Sequence, residues 1–489
     1  MLISTSILGS TQLITMILGL IRTKLFALFL GPSGLGILSV LNATIELITQ
    51  VFGIGTNSAV VREIASIDRE NKLDIQLAIN TIKTITFVQA TLASVFTFVF
   101  SEWLSYLTFS SADFTTEIRT LSLVVFITII YKMNIAVLEG LIVVKKYALQ
   151  TVISSTIVVT ISALIVIYIG TKGIVLIIVS SIIVHFLVSH IFQRHLLSKL
   201  GTHKFSISIS VAKNIFYLGL TILSGGLISA LSEYFARIYL LKTLGVVTVG
   251  YLYAAQSLAF LYTGFILTSI SKFYFPKLAS FKSNRASNEV LINNQIELGI
   301  LLAIPGLMIT FALSSLLISI LYSASFTPSV EVLHWLTLVA FLKVASWPLS
   351  YFLVAVNSWK TFLIAEFASN LLYLGSLIFA VAHFGITGVG VAGVIQYLVY
   401  LTILLLLIDS NHKIVLEKRI LMMLIRYVVL FLSLILCFTF FDSALLTYSS
   451  GLLAIVLSID SINRLTKLIK DESLYTFLFT RPWKRHKGY

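Results

Sequence analysis

The stretch LGPSGLGILSVLN, residues 30–42, returns 214 positions later as LGVVTVGYLYAAQ, residues 244–256. Both begin Leu-Gly, leave four residues, place a glycine, put a leucine two further on, and end on a side-chain amide, Asn42 or Gln256. GTKG (170–173) and GITG (385–388) match at an offset of 215, EIAS (63–66) and KLAS (277–280) at 214, and Lys145 falls on Lys360 at 215. Each match is weak alone. Agreement in one frame at four places reads as an internal duplication, the kind of repeat on which many transporters are built.

The duplicated material is membrane-spanning. Of 489 residues, 58% are hydrophobic and only 11% charged, where a soluble domain carries about 25% charged residues. Apolar windows of about 20 residues, enough to cross a bilayer core, recur at 5–29, 36–60, 79–101, 119–142, 148–169, 174–193, 214–241, 247–270, 295–321, 331–355, 362–382, 387–408, 421–441 and 444–461. The runs are continuously apolar and do not alternate, which specifies helices and not a barrel. The uncharged run Met1–Leu20 reads as a retained first span, because the same pattern continues after it.

The expected fold class is therefore an all-α polytopic membrane protein with about 14 transmembrane helices. Residues 1–200 form an N-terminal six-helix lobe and 201–411 a C-terminal six-helix lobe. An additional helix pair follows at 412–462, then a basic cytoplasmic tail at 463–489. Six crossings restore the original direction, so a pseudo-two-fold axis along the membrane normal relates the lobes, with a central cavity between them.

Charge gives the orientation. With the N-terminus cytoplasmic, the inner loops and the tail collect 26 of the 34 lysines and arginines, and the outer side receives only Arg119, Lys172 and Lys242. Both termini are then cytoplasmic. This topology accounts for most of the net charge of +14 without nucleic acid, and no nucleic-acid partner is expected. The lone cysteine, Cys437, excludes an intrachain disulfide. No HExxH spacing or Walker loop is present, so neither a metal nor a nucleotide cofactor is expected.

Five cations fall inside spans: Arg22, Lys24, Lys132, Arg237 and Lys343. Each costs roughly 2.5–3.5 kcal/mol near a helix centre on insertion scales. Arg22 plus 215 is Arg237, and Lys132 and Lys343 each lie mid-span in the fourth helix of their copy. Arg22, Lys24 and Arg237 fall toward the outer half of the membrane. Snorkelling explains Lys24 in a bland way, and ion pairing with intramembrane acids explains others, Glu233 standing four residues before Arg237. The alternative is a basic, water-filled interior aimed at an anion. Glu46, Glu233 and Glu366 are the intramembrane acids, hence either salt-bridge partners or candidates for coupling to a proton or sodium gradient. Asn42, Gln50, Asn134, Gln256, Asn370 and Gln396 either face a polar substrate or join helices by hydrogen bonds.

The stretch TKLFALFLGPSGLGILSVLNATIELITQVFGIGTNSAVVREIA resembles the opening of bacterial polysaccharide flippases. RIYLLKTLGVVTVGYLYAAQSL, TSISKFYFPKLAS and ASWPLSYFLVAVNSWKTFLIAE resemble the O-antigen translocase and lipid III flippase branch. That branch belongs to the superfamily of multidrug, oligosaccharidyl-lipid and polysaccharide exporters. The resemblance implies two six-helix lobes in the bacterial inner membrane and alternating access. It implies an undecaprenyl-pyrophosphate-linked oligosaccharide as substrate, moved from the cytoplasmic to the periplasmic leaflet. Membrane lipids, a polysaccharide polymerase and a chain-length regulator are the partners it suggests. On that reading Arg22, Lys24, Lys132, Arg237 and Lys343 bind the pyrophosphate, whose charges cannot cross hydrocarbon unaided.

Two other classes stand beside this one. A multidrug or ion antiporter of the same fold would want an acidic or aromatic interior, whereas five cations face three deep acids here. A membrane-embedded polymerase would want catalytic groups in a large outer loop, and the longest outer loop, about 102–118, is short and has no paired catalytic acids. An enzyme is not expected.

Overall fold

The computed structural model describes residues 2–53, 58–67, 71–141, 143–197, 207–280, 285–356, 358–440 and 444–470, and every regular element among them is helical. The basic tail beyond residue 470 lies outside the described residues. The helices are α1 (Leu2–Phe52), α2 (Ser58–Ser66), α3 (Lys72–Val99), α4 (Ser101–Phe109), α5 (Thr115–Gly140), α6 (Val144–Ile169), α7 (Ile174–Leu197), α8 (Ile209–Leu244), α9 (Val246–Ser280), α10 (Arg285–Ala312), α11 (Ser314–Leu321), α12 (Ser329–Ala355), α13 (Trp359–Phe384), α14 (Thr387–His412), α15 (Lys418–Phe440) and α16 (Ala444–Lys470). They divide into two compact units, Met1–Tyr253 with Leu321–Ser325, and Ala254–Ile320 with Phe326–Tyr489.

Ten stretches among the described residues are long and apolar enough to cross a membrane. Two of them, Gly9–Phe52 with 44 residues and Val144–Arg194 with 51, are each long enough for two crossings, since about 20 residues span the hydrocarbon. Both are broken mid-way, at Gly31 and at the short 3-10 turn Gly170–Gly173. The chain is a multi-pass membrane protein.

The glycines of the repeated motifs are what break these helices. Gly31 and Gly245, 214 apart, have φ of 64° and 84° with ψ of −173° and 168°. That region is essentially closed to residues with a Cβ. Gly170 and Gly385, the first residues of GTKG and GITG, repeat the device with φ of 64° and 58°. Pro32 follows Gly31 where the next helix begins, a position at which its missing N–H costs nothing. Other breaks obey the same frame: α3 gives way to α4 at Phe100, and α10 to α11 at Leu313.

The two copies of the motif also touch each other reciprocally. A Cβ on Gly36 would collide with the backbone carbonyl of Val246, and one on Gly250 with that of Pro32. Gly36 and Gly250 are equivalent by the repeat, as are Pro32 and Val246, so this contact is self-complementary, as a two-fold relation requires. Gly36→Ala and Gly250→Ala are each expected to cost about 1–3 kcal/mol, because backbone must move to admit the methyl. Thermal unfolding in detergent checks this, with Gly375→Ala, which meets nothing within 4 Å, as the unperturbed comparison.

The first unit has an aliphatic core where α2, α3, α5 and α8 meet, including Ala59, Ile64, Ile79, Ile82, Val137 and Ile215. In the second unit α15 packs on α12 through Phe341, whose ring meets Tyr427 and Phe431. The chain leading into α15 is pinned to α10. Asn293 accepts from the Glu417 amide at 3.0 Å, and Arg419 reaches the buried Glu297 carboxylate at 2.8 Å. The α16 hydroxyl of Ser461 closes on the carbonyl of Leu301 at 2.5 Å. The helix pair after residue 412 is thus fastened to α10 by polar contacts as well as by apolar area.

Several boundaries differ from those read in the sequence. Residues 101–109 form a helix where a loop was expected, and α10 starts at Arg285, ten residues before the apolar run at 295. Asn293, Asn294, Gln295 and Glu297 are buried there, so a polar stretch is helical through packing and not through hydropathy. The compact-unit boundary at 253/254 also differs from the repeat boundary at 200/201, because α8 packs on α1, α2 and α3.

Candidate functional site

Arg22 and Lys24 sit on the first half of α1, two residues apart. At 100° per residue their side chains leave the helix about 200° apart. Arg22 donates from Nη2 to the Ser181 hydroxyl of α7 at 2.9 Å and lies over the Phe26 ring at 4.9 Å. Lys24 donates to the carbonyl of Tyr322 at 2.5 Å. Both partners are neutral, and neither cation is within 4 Å of a carboxylate among the described residues. Their charge is solvated but not cancelled.

The next two cations are partly compensated. Lys132 on α5 stands 3.5 Å from Glu46 on α1, with the Thr49 hydroxyl at 3.4 Å. Arg237 on α8 stands 3.5 Å from Glu233 one turn earlier and donates to the Ser39 hydroxyl of α1. Both glutamates are well exposed, 60% and 68% of the side chain, while Arg237 is 15% exposed. Pairs of that exposure are weak, about 0–1 kcal/mol. Arg22 and Arg237 therefore share a device: an arginine in an apolar helix, held by a serine of another helical segment. In the second unit Lys343 on α12 lies over the Phe260 ring of α9 at 5.1 Å.

The amide residues take different positions. Asn134 is buried and donates to Ser189 at 3.3 Å, joining α5 to α7. Gln50 reaches the backbone of Gly226 on α8, Asn42 is exposed, and Gln256 is half-buried. Asn134→Leu is expected to cost no more than about 0.6–1.7 kcal/mol, the measured range for hydrogen bonds between membrane helices, with transport retained; a proteoliposome transport assay checks it.

Asn370 and Gln396 join Glu366 in one network between α13 and α14. Tyr400 donates to Glu366 Oε1 at 2.6 Å, and Asn370 to Oε2 at 3.3 Å and to the Glu366 carbonyl at 2.8 Å. Gln396 donates to Asn370 Oδ1 at 3.4 Å. No cluster of three or more His, Cys, Asp or Glu suited to a metal occurs among the described residues. A carboxylate with amide and hydroxyl oxygens is a donor set for a proton or a hard monovalent cation, and not for zinc or copper.

Sequence reading passed over Ser39, Ser181, His185 and Tyr400. Spacing carried a trace of three of them: Tyr400 follows Gln396 by four, and Ser181, His185, Ser189 and Gln193 recur every four residues on α7. Nothing in a single sequence says which apolar helix those faces meet.

Comparison with known proteins adds the following. The model of the family described as polysaccharide biosynthesis protein matches residues 25–331. A Shigella flexneri protein carrying the name O-antigen transporter is 25% identical over 373 residues, spanning 74% of this chain and 87% of the relative. Among solved structures, the lipid II flippase MurJ in an inward closed conformation superimposes with a TM-score of 0.68 at 18% identity, covering 94% of this chain and 99% of that one. An inward-facing multidrug resistance MATE family transporter of the MOP superfamily gives 0.67 at 15%, covering 82% and 94%. These structures share the fold.

Proposed function

The chain belongs to the polysaccharide biosynthesis protein family and is a multi-pass membrane transporter rather than an enzyme, and from that premise we propose that it is a flippase for a lipid-linked oligosaccharide. The substrate is an undecaprenyl-pyrophosphate-linked repeat unit, moved by alternating access from the cytoplasmic to the periplasmic leaflet of a bacterial inner membrane. The side rich in cations faces the cytoplasm, and a polymerase takes over the product.

One observation carries this reading: Arg22 and Lys24 stand in an apolar helix and hydrogen-bond to neutral partners among the described residues. Two such charges persist in a membrane protein when an anion answers them. A guanidinium offers a pyrophosphate paired, charge-assisted hydrogen bonds, and an ammonium adds a point charge. Arg237 and Lys132 of the same unit extend the set, with Glu46 and Glu233 withdrawing from their cations as the anion arrives. The polyprenyl tail stays in lipid, so only the head group needs protein. Glu366, with Tyr400, Asn370 and Gln396, is the site at which a proton or sodium ion couples the cycle to a gradient.

The test is reconstitution. Proteoliposomes of the purified protein are expected to move a lipid-linked oligosaccharide across the bilayer, and cationic drugs are expected neither to compete nor to be transported. Drug efflux without movement of the lipid would replace this reading by a multidrug antiporter.

A further inference from the structure

A row of polar side chains runs through the interior of the first unit along α7. Ser181, His185, Ser189 and Gln193 follow one another at four-residue intervals, so they share one face over about 18 Å, more than half of the hydrocarbon thickness. At one end Ser181 accepts from Arg22, and at mid-row Ser189 accepts from Asn134. The His185 ring lies against Tyr131 of α5 with centroids 5.4 Å apart. Arg22 is within electrostatic reach of His185.

The row is polar beyond what its protein contacts satisfy. Gln150 on α6, which packs against α7, is 0% exposed, yet neither end of its amide has a hydrogen-bond partner among the described residues. Gln193 Nε2, His185 Nδ1 and Arg22 Nε are buried in the same condition. Buried amides in a membrane lobe are not left unsatisfied, and a polar space among several such groups is where water resides. Gln150 and Gln193 stand at the end of the lobe where α6 begins and α7 ends.

We propose that His185 is a proton site linked to the anion bound at Arg22, supplied with protons through a hydrated file along α7. The inference rests on the proposed pyrophosphate reading of Arg22. In the step itself, a file water gives a proton to the imidazole, an N–H bond forms, and the water chain is refilled by a proton from bulk. An anion at Arg22 answers the guanidinium charge that the imidazole faces, so anion and imidazolium attract each other across this corner of the lobe. Linkage is reciprocal: the anion favours the proton and the proton favours the anion by the same factor.

The groups that set this balance come from every helix packed on α7. Arg22 comes from α1, Tyr131 from α5 and Tyr147 from α6, with Glu139 hydrogen-bonded to Tyr147; Lys172 of the Gly170–Gly173 turn is exposed. Arg22 is the cation among them that addresses His185 directly. Substrate loading therefore takes up a proton, and release of the substrate gives it back. This site is separate from Glu366, which lies in the other unit.

The experiment is calorimetric titration of the purified full chain with farnesyl pyrophosphate, in two buffers of different ionisation enthalpy, for wild type, His185→Gln and His185→Asn. The probe has its own titration, which the variants share. As pH falls from about 8 to about 4, wild-type affinity is expected to rise about tenfold more than in either variant. Wild type should also take up more protons per probe bound. Parallel pH profiles in all three overturn the linkage while leaving the pyrophosphate reading intact. A wild type that does not bind the probe overturns both, and the two failures are told apart by whether binding occurs at all.

Discussion

Arg22→Ala is expected to lower translocation of a lipid-linked oligosaccharide by about 100-fold or more at matched protein level, with folding retained. The magnitude follows from what the side chain supplies. A pair of charge-assisted hydrogen bonds in a site of low dielectric is worth about 3 kcal/mol, which is a factor of roughly 100. Its loss leaves Ser181 without one partner, a small matter, because that hydroxyl also donates to the Ile177 carbonyl at 2.5 Å. Arg22→Lys is expected to recover part of the activity, since charge survives while the planar fork does not. Lys132→Ala should do less damage than Arg22→Ala, because Glu46 already offsets part of the Lys132 charge. Initial rates of lipid movement into proteoliposomes, together with melting curves, check the series. Equal rates for Arg22→Ala and wild type would make this arginine a structural tie between α1 and α7.

Glu366→Gln is expected to abolish the response of transport to an imposed ion gradient, with a loss of about 30-fold in driven rate. The substitution keeps an oxygen to accept from Tyr400 and leaves Asn370 its backbone bond to residue 366. What it removes is the negative charge, and hydrogen bonds to charged groups are worth about 1.5–3 kcal/mol. Tyr400→Phe removes one donor and keeps the charge, so a loss of about tenfold or less is expected. Binding of the lipid substrate without a gradient should be unaffected in both, because neither residue is among the cations assigned to the pyrophosphate. Transport measured under proton and sodium gradients separately identifies the ion. Unaltered gradient dependence in Glu366→Gln would place coupling elsewhere.

Much of the architecture was legible because it depends on features that a single sequence records. Hydropathy located the long helices and the gaps between them, and the glycines Gly31, Gly245, Gly170 and Gly385 of the repeated motifs, which fall in those gaps, all adopt positive φ. α10 and α4 were harder. Both contain polar residues buried by neighbours, Asn293 under the chain leading to α15 and Ser105 against the Ser111 carbonyl, and hydropathy cannot anticipate burial that tertiary packing provides. The cations were visible as charges in apolar runs, but their directions were not. Arg22 and Lys24 look alike in the sequence, yet they leave α1 on nearly opposite sides and meet α7 and Tyr322. The polar row of α7 shows as a spacing of four. Its meaning emerges only when Arg22 is seen at one end and unpartnered amides at the other.

The measurement that tests the central claim most directly compares two substrates differing only at the linkage. One is an oligosaccharide on polyprenyl pyrophosphate, and the other is the same oligosaccharide on a neutral polyprenol of the same chain length. If intramembrane cations recognise the pyrophosphate, wild-type proteoliposomes move the first and leave the second at the protein-free rate. Equal movement of both would show that the anion is not what the protein binds, and that Arg22 and its companions serve the fold alone.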